Sequence, residues 1–130
     1  MGNDVAVLQI QANLIVSIQS EITDRAAVDL QEAVLRRVER CGARGLVLDV
    51  SALGLIDSFI ARVLMETSQM ARMMNVDAVI AGMKPEIALT LIQMGFGLDG
   101  VRTAVDLERG LEILNGSGPA VPPEDDPWAG

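Results

Sequence analysis

The sequence contains no histidine, no tyrosine and a single cysteine. Without an imidazole the chain lacks the commonest general base, so Ser-His-Asp and Cys-His catalysis and histidine-containing zinc sites are excluded. The missing phenol removes a further proton donor. Cys41, having no second cysteine to pair with, forbids an internal disulfide and a multi-cysteine metal site, and reads as a small buried hydrophobe. A metal site made of carboxylates alone would need converging Asp and Glu, which no local spacing supplies. Neither a metal nor a cofactor is expected.

Basic residues are scarce as well. Ten Lys and Arg against 18 Asp and Glu give a net charge of -8, which opposes phosphate backbones and anionic lipid surfaces. Nucleic acid and membranes are therefore not expected as partners. The opening Met1-Gly2-Asn3-Asp4 lacks the basic and apolar regions of a secretory signal, and no apolar run nears the roughly 20 residues that span a bilayer. A cytoplasmic protein is expected.

Apolar residues, by contrast, make up 50% of the 130 residues, enough for one compact core. Val5 to Ile10 and Leu14 to Ile18 are short β-branched runs around Gln11-Ala12-Asn13, which suits a hairpin. Thr23 or Asp24 can cap a helix whose Ala27, Leu30, Val34, Leu35 and Val38 form one apolar stripe, and Gly42 ends it. The run Gly45 to Val50 is nearly continuous in apolar residues, as in a central strand covered on both faces. A helix from near Ser58 to about Asn75 follows, then a buried strand from Val76 to Ala81. Lys84-Pro85-Glu86 starts a third helix, which Gly95 stops. A strand from Val101 to Val105 leads to a last helix begun by Asp106, with Leu107, Leu111 and Leu114 on one side.

The predicted order is β-β-α-β-α-β-α-β-α, an α/β domain over residues 1–114 with a mixed, mostly parallel sheet covered by helices. Residues 115–130 hold four of the five prolines and the triplet Glu124-Asp125-Asp126, and read as a disordered, acidic, Pro-rich tail. Gly95-Phe96-Gly97-Leu98-Asp99-Gly100 spells a dinucleotide-binding pattern, but it follows a helix where that motif needs a strand, so it reads as a helix stop and turn.

The informative stretch runs from Val50 to Leu64, where a buried strand ends, a loop turns and an amphipathic helix begins. Asp57 or Ser58 can serve simply as the N-cap, worth about 1 kcal/mol. Local physics favours that simple cap, but Ser58 can also accept a phosphate, because the helix dipole and free first-turn amides stabilise an added dianion. Asp57 opposes that charge slightly, so the phosphate should lean outward and act on a partner surface. Phe59 and Ile60 follow directly. Either both enter the core, or one stays exposed and forms with Met94 or Phe96 a patch suited to protein binding. The methionines at 65, 70, 73, 74, 83 and 94 fit an irregular core or an adaptable interface. A hydrolase using Ser58 with Asp57 or Asp49 would need a strongly shifted carboxylate as its base, and nothing in the sequence supplies one.

The chain resembles the STAS domain family, and within it the RsbS-type antagonists of the bacterial stressosome. The resemblance is carried by Leu14 to Gln19, by Ile56-Asp57-Ser58-Phe59-Ile60-Ala61-Arg62-Val63-Leu64, and by the run from Gly82-Met83-Lys84-Pro85 through Asp106-Leu107-Glu108-Arg109-Gly110-Leu111, across roughly residues 5 to 114. It implies a single STAS domain and a non-enzymatic scaffold, forming a dimer or a large oligomeric complex. Its implied partners are a sensor-bearing STAS co-antagonist (RsbR-type), a GHKL-type serine kinase (RsbT-type) and a PP2C-type phosphatase. By that resemblance Ser58 would be the phosphorylated serine, and the residues themselves make Asp57, Phe59, Ile60, Met94 and Phe96 the expected partner-binding set. Free anti-sigma-factor antagonists, the commoner relatives, usually carry a small residue and a glycine after that serine. Phe59 and Ile60 favour the stressosome branch, and a free-standing anti-anti-sigma factor is the alternative.

Overall fold

The computed structural model describes residues 5–18, 22–54, 56–96 and 102–116. Strands β1 (Val5–Ile10) and β2 (Asn13–Ile18) pair antiparallel from Val5 against Ile18 to Ile10 against Asn13. Gln11 takes a left-handed φ of 56° to turn between them. Helix α1 (Asp24–Cys41) is capped by Thr23, whose hydroxyl accepts from the Ala26 amide at 3.0 Å, and ends at Gly42 with φ 65°. Strand β3 (Gly45–Asp49), helix α2 (Ser58–Met73), strand β4 (Asp77–Ala81), helix α3 (Pro85–Gln93), strand β5 (Arg102–Ala104) and helix α4 (Leu107–Leu114) follow.

The strands lie in the order β1-β2-β3-β4-β5, and every pair after the first is parallel. Period-2 alternation divides the sheet between two cores. Leu14, Val16, Ile18, Leu46, Leu48, Ala78 and Ile80 face the apolar stripes of α1, α2 and α3. Ile15, Val47 and Ala81 point the other way, toward Leu107, Leu111 and Leu114 of α4. Because both faces are covered, Leu46, Val47 and Leu48 are all fully buried, which is why β3 reads as an unbroken apolar run.

Two boundaries differ from the sequence expectation for identifiable reasons. Helix α2 ends at Met73, because Asn75 adopts φ 66° and the Val76 amide folds back onto the Ala71 carbonyl at 3.0 Å. That turn consumes Val76, so β4 opens at Asp77. At the other end, Asn115 is the C-cap of α4, and its Oδ1 accepts from Nδ2 of the buried Asn13 at 3.0 Å. Gly45 permits this junction, since a Cβ there would meet Asn13 Oδ1 and approach Leu114 Cδ1 to 2.9 Å. Residues 117–130, the rest of the expected tail, lie outside the described residues, as does the second half of the glycine-rich turn at 97–100.

One buried hydroxyl lacks a partner among the described residues, that of Ser68 in the middle of α2. Its neighbour Thr67 donates to the Val63 carbonyl at 2.7 Å and accepts from Gln31 Nε2 at 3.2 Å. Desolvating a hydroxyl without compensation costs about 1 to 3 kcal/mol. Ser68→Ala is therefore expected to stabilise the fold by about 1 kcal/mol, read as a higher urea midpoint at unchanged slope, whereas Thr67→Ala should lower it.

Candidate functional site

The loop from β3 to α2 emerges at the carboxyl end of the central strand and is fixed from below. The Val50 amide continues the sheet by donating to the Ala81 carbonyl at 2.9 Å, and the Asp49 carboxylate accepts from the Ser51 amide at 3.1 Å. Leu53 closes a turn on Val50 O at 3.0 Å and sinks its side chain into the core. From the neighbouring β4–α3 turn, Gly82 lies so close that a Cβ would sit 2.6 Å from Ser51 Cβ. Lys84 Nζ donates to the Leu53 carbonyl at 2.8 Å.

Asp57 is the N-cap of α2: with extended dihedrals (φ -86°, ψ 175°), its carboxylate accepts from the Ile60 amide at 2.9 Å. Ser58 is thus the first helical residue, and it is exposed. The geometry separates two roles that the sequence leaves together. Asp57 satisfies the helix end, while the Ser58 hydroxyl is free of that duty and stands where the helix dipole is positive. A hydroxyl so placed can be modified without disturbing the cap.

The expected partner-binding residues do not all reach the surface. Phe59 is 39% exposed, beside Ser58. Ile60, expected in the partner surface or the core, is 3% exposed and packs in the core. The helix phase explains it, since Ile60, Leu64, Thr67, Ser68 and Ala71 form the buried stripe and Phe59 falls outside it. Met94 and Phe96 are half-buried against the main core, around the α3 terminus where the Phe96 amide donates to Leu91 O at 3.0 Å.

Two apolar residues missed by the sequence reading are more exposed than any of these: Leu89 at 55% and Ile92 at 57%. They lie three residues apart on α3, which packs against α2 and buries Ile87 and Leu91 on its inner side. The signal was available, because Ile87, Ala88, Leu89, Leu91 and Ile92 give α3 apolar residues all round. The methionines divide: Met65 is buried, Met83 and Met94 are half-buried, and Met70, Met73 and Met74 are exposed at the end of α2 remote from Ser58. Neither carboxylate considered as a base for Ser58 hydrogen-bonds its hydroxyl. Asp57 and Asp49 each accept a backbone amide instead. Among the described residues no group of three or more His, Cys, Asp or Glu is arranged to hold a metal ion.

Comparison with known proteins gives a consistent result. The STAS domain family model matches residues 4–106. The RsbT co-antagonist protein RsbRD of Bacillus subtilis (strain 168) is 26% identical over 97 residues, 75% of this chain and 35% of that protein. The chain thus spans about a third of the length of this curated relative. Among solved structures, Moorella thermoacetica RsbS S58E superposes with a TM-score of 0.79 at 36% identity, covering 86% of this chain and 95% of that one. A chain from the stressosome, described as a signal integration and transduction hub, gives 0.74 at 33% identity, with 85% and 96% covered.

Proposed function

The chain belongs to the STAS domain family, and from that premise we propose that it is a non-enzymatic scaffold of a stressosome-type complex in the cytoplasm, switched by phosphorylation of Ser58. It assembles with a sensor-bearing, RsbR-type STAS co-antagonist. Together they hold a GHKL-type serine kinase of the RsbT type, which is released once Ser58 carries a phosphate, and a PP2C-type phosphatase resets the serine. ATP binds the kinase, not this chain.

The observation that carries this reading is the separation of cap from acceptor: an exposed Ser58 at the first turn of α2, with Asp57 holding the helix end. In a STAS domain similar to RsbS, that places a modifiable hydroxyl at a helix N-terminus and next to an exposed aromatic ring. A phosphate there gains from the dipole and loses to the charge of Asp57, so the fold stays and the surface around Ser58 becomes more negative. Phe59, beside Ser58, offers an apolar contact that such a charge would disturb, and Leu89 and Ile92 expose further apolar surface on α3.

The test is co-assembly. Mixed with the RsbR-type protein of the same organism, the chain should elute from a sizing column with light scattering as one particle far heavier than a dimer. Separate elution of the two proteins across the accessible concentration range would overturn the proposal.

A further inference from the structure

Lys84 is the one lysine in the sequence. Among the described residues its ammonium meets no carboxylate. It donates to the backbone carbonyl of Leu53, 31 residues away in sequence and in another loop, at 2.8 Å. A charged donor on a part-buried carbonyl makes a stronger bond than a neutral pair. Its acceptor is anchored as well, since the Leu53 side chain is 1% exposed in the core. Two residues earlier, Gly82 presses on Ser51, with 2.9 Å from its would-be Cβ to Ser51 Cα. The β4–α3 turn therefore grips the β3–α2 loop at two points, and the Lys84–Leu53 bond lies four residues before the Asp57 cap. Lys84 is also the N-cap position of α3, the helix that exposes Leu89 and Ile92.

We propose that Lys84 is a positioning residue for the switch: its bond to Leu53 holds the loop so that Asp57 caps α2 and Ser58 stands exposed at the first turn. In its functional part this rests on Ser58 being the phosphate acceptor. It also ties the loop that carries Ser58 to the start of the helix that carries the exposed apolar pair.

Amide hydrogen exchange on the full-length chain tests the geometry. The Ile60 amide, bound to the Asp57 carboxylate, reports on the α2 cap, and the Ala26 amide, bound to the Thr23 hydroxyl, is a matched control on α1. Lys84→Met should speed exchange at Ile60 by about tenfold relative to Ala26, and Lys84→Arg, which keeps the charged donor, should stay within about threefold of wild type. An unchanged Ile60, a rise shared equally with Ala26, or equal loss in both variants would overturn the inference.

A second arm uses the GHKL-type kinase with ATP. Lys84→Met should lower kcat/KM for phosphate transfer to Ser58 by about tenfold, with rescue by Lys84→Arg, and an unchanged value would overturn the positioning role. If wild type takes no phosphate at Ser58, the proposed function fails on its own, and the exchange result still decides whether Lys84 holds the loop.

Discussion

Ser58→Ala should abolish phosphate incorporation and leave the melting temperature within about 3 °C of wild type. The two halves of this result come from one geometric fact. The oxygen that satisfies the α2 terminus belongs to Asp57, which accepts from the Ile60 amide at 2.9 Å, and Ser58 is an exposed first-turn residue. Truncating an exposed side chain with no structural hydrogen bond costs little, whereas Asp57→Ala removes a cap and should cost about 1 kcal/mol. The pair of variants thus separates function from stability: Ser58→Ala should block the proposed switch in a fully stable protein, and Asp57→Ala should weaken the helix end while keeping the hydroxyl. Intact-mass spectrometry after incubation with kinase and ATP, alongside calorimetry, measures both. Phosphate retained in Ser58→Ala, or a larger stability loss there than in Asp57→Ala, would contradict the assignment.

Local chemistry reveals the element order because each boundary carries its own signal. Thr23 and Gly42 bracket α1, Pro85 opens α3, and the unbroken apolar run of β3 follows from burial on both faces. The site is less legible where two neighbours have equal local claims. Asp57 and Ser58 are both good caps, and it is Asp57 that takes the extended dihedrals and accepts from the Ile60 amide. Phe59 and Ile60 are both apolar, and only the phase of α2 against the sheet buries one and leaves the other exposed. That phase is readable afterwards in the stripe Ile60, Leu64, Thr67 and Ala71. The bond from Lys84 to Leu53 has no local signal at all, because it joins separate loops brought side by side by the parallel pairing of β3 with β4. The exposed pair Leu89 and Ile92 is different in kind: α3 already buries Ile87 and Leu91 on its inner side, so the fold itself does not require apolar residues there.

Among the loop glycines of the described residues, Gly82→Ala should be the most damaging change, at about 3 kcal/mol or more, and Gly42→Ala supplies its control. Both glycines have left-handed φ, 77° and 65°, so alanine pays a similar backbone cost at each, on the order of 1 to 2 kcal/mol. They differ in what the new methyl meets. At Gly42 nothing lies within 4 Å, whereas at Gly82 the Cβ would stand 2.6 Å from Ser51 Cβ, 2.9 Å from its Cα and 3.0 Å from its amide nitrogen. Backbone atoms cannot rotate aside, so the loop from Ser51 to Asp57 must shift, and with it the start of α2. The difference in urea unfolding free energy between the two variants therefore isolates the contact from the φ cost, and equal losses would refute it. Adding Ser51→Gly to Gly82→Ala relieves the Cβ contact but leaves those to Cα and N, so stability should recover only in part. Because the displaced loop leads into Ser58, the same methyl should slow the proposed phosphate transfer, so that one contact would limit both the stability of the fold and the geometry of the acceptor serine.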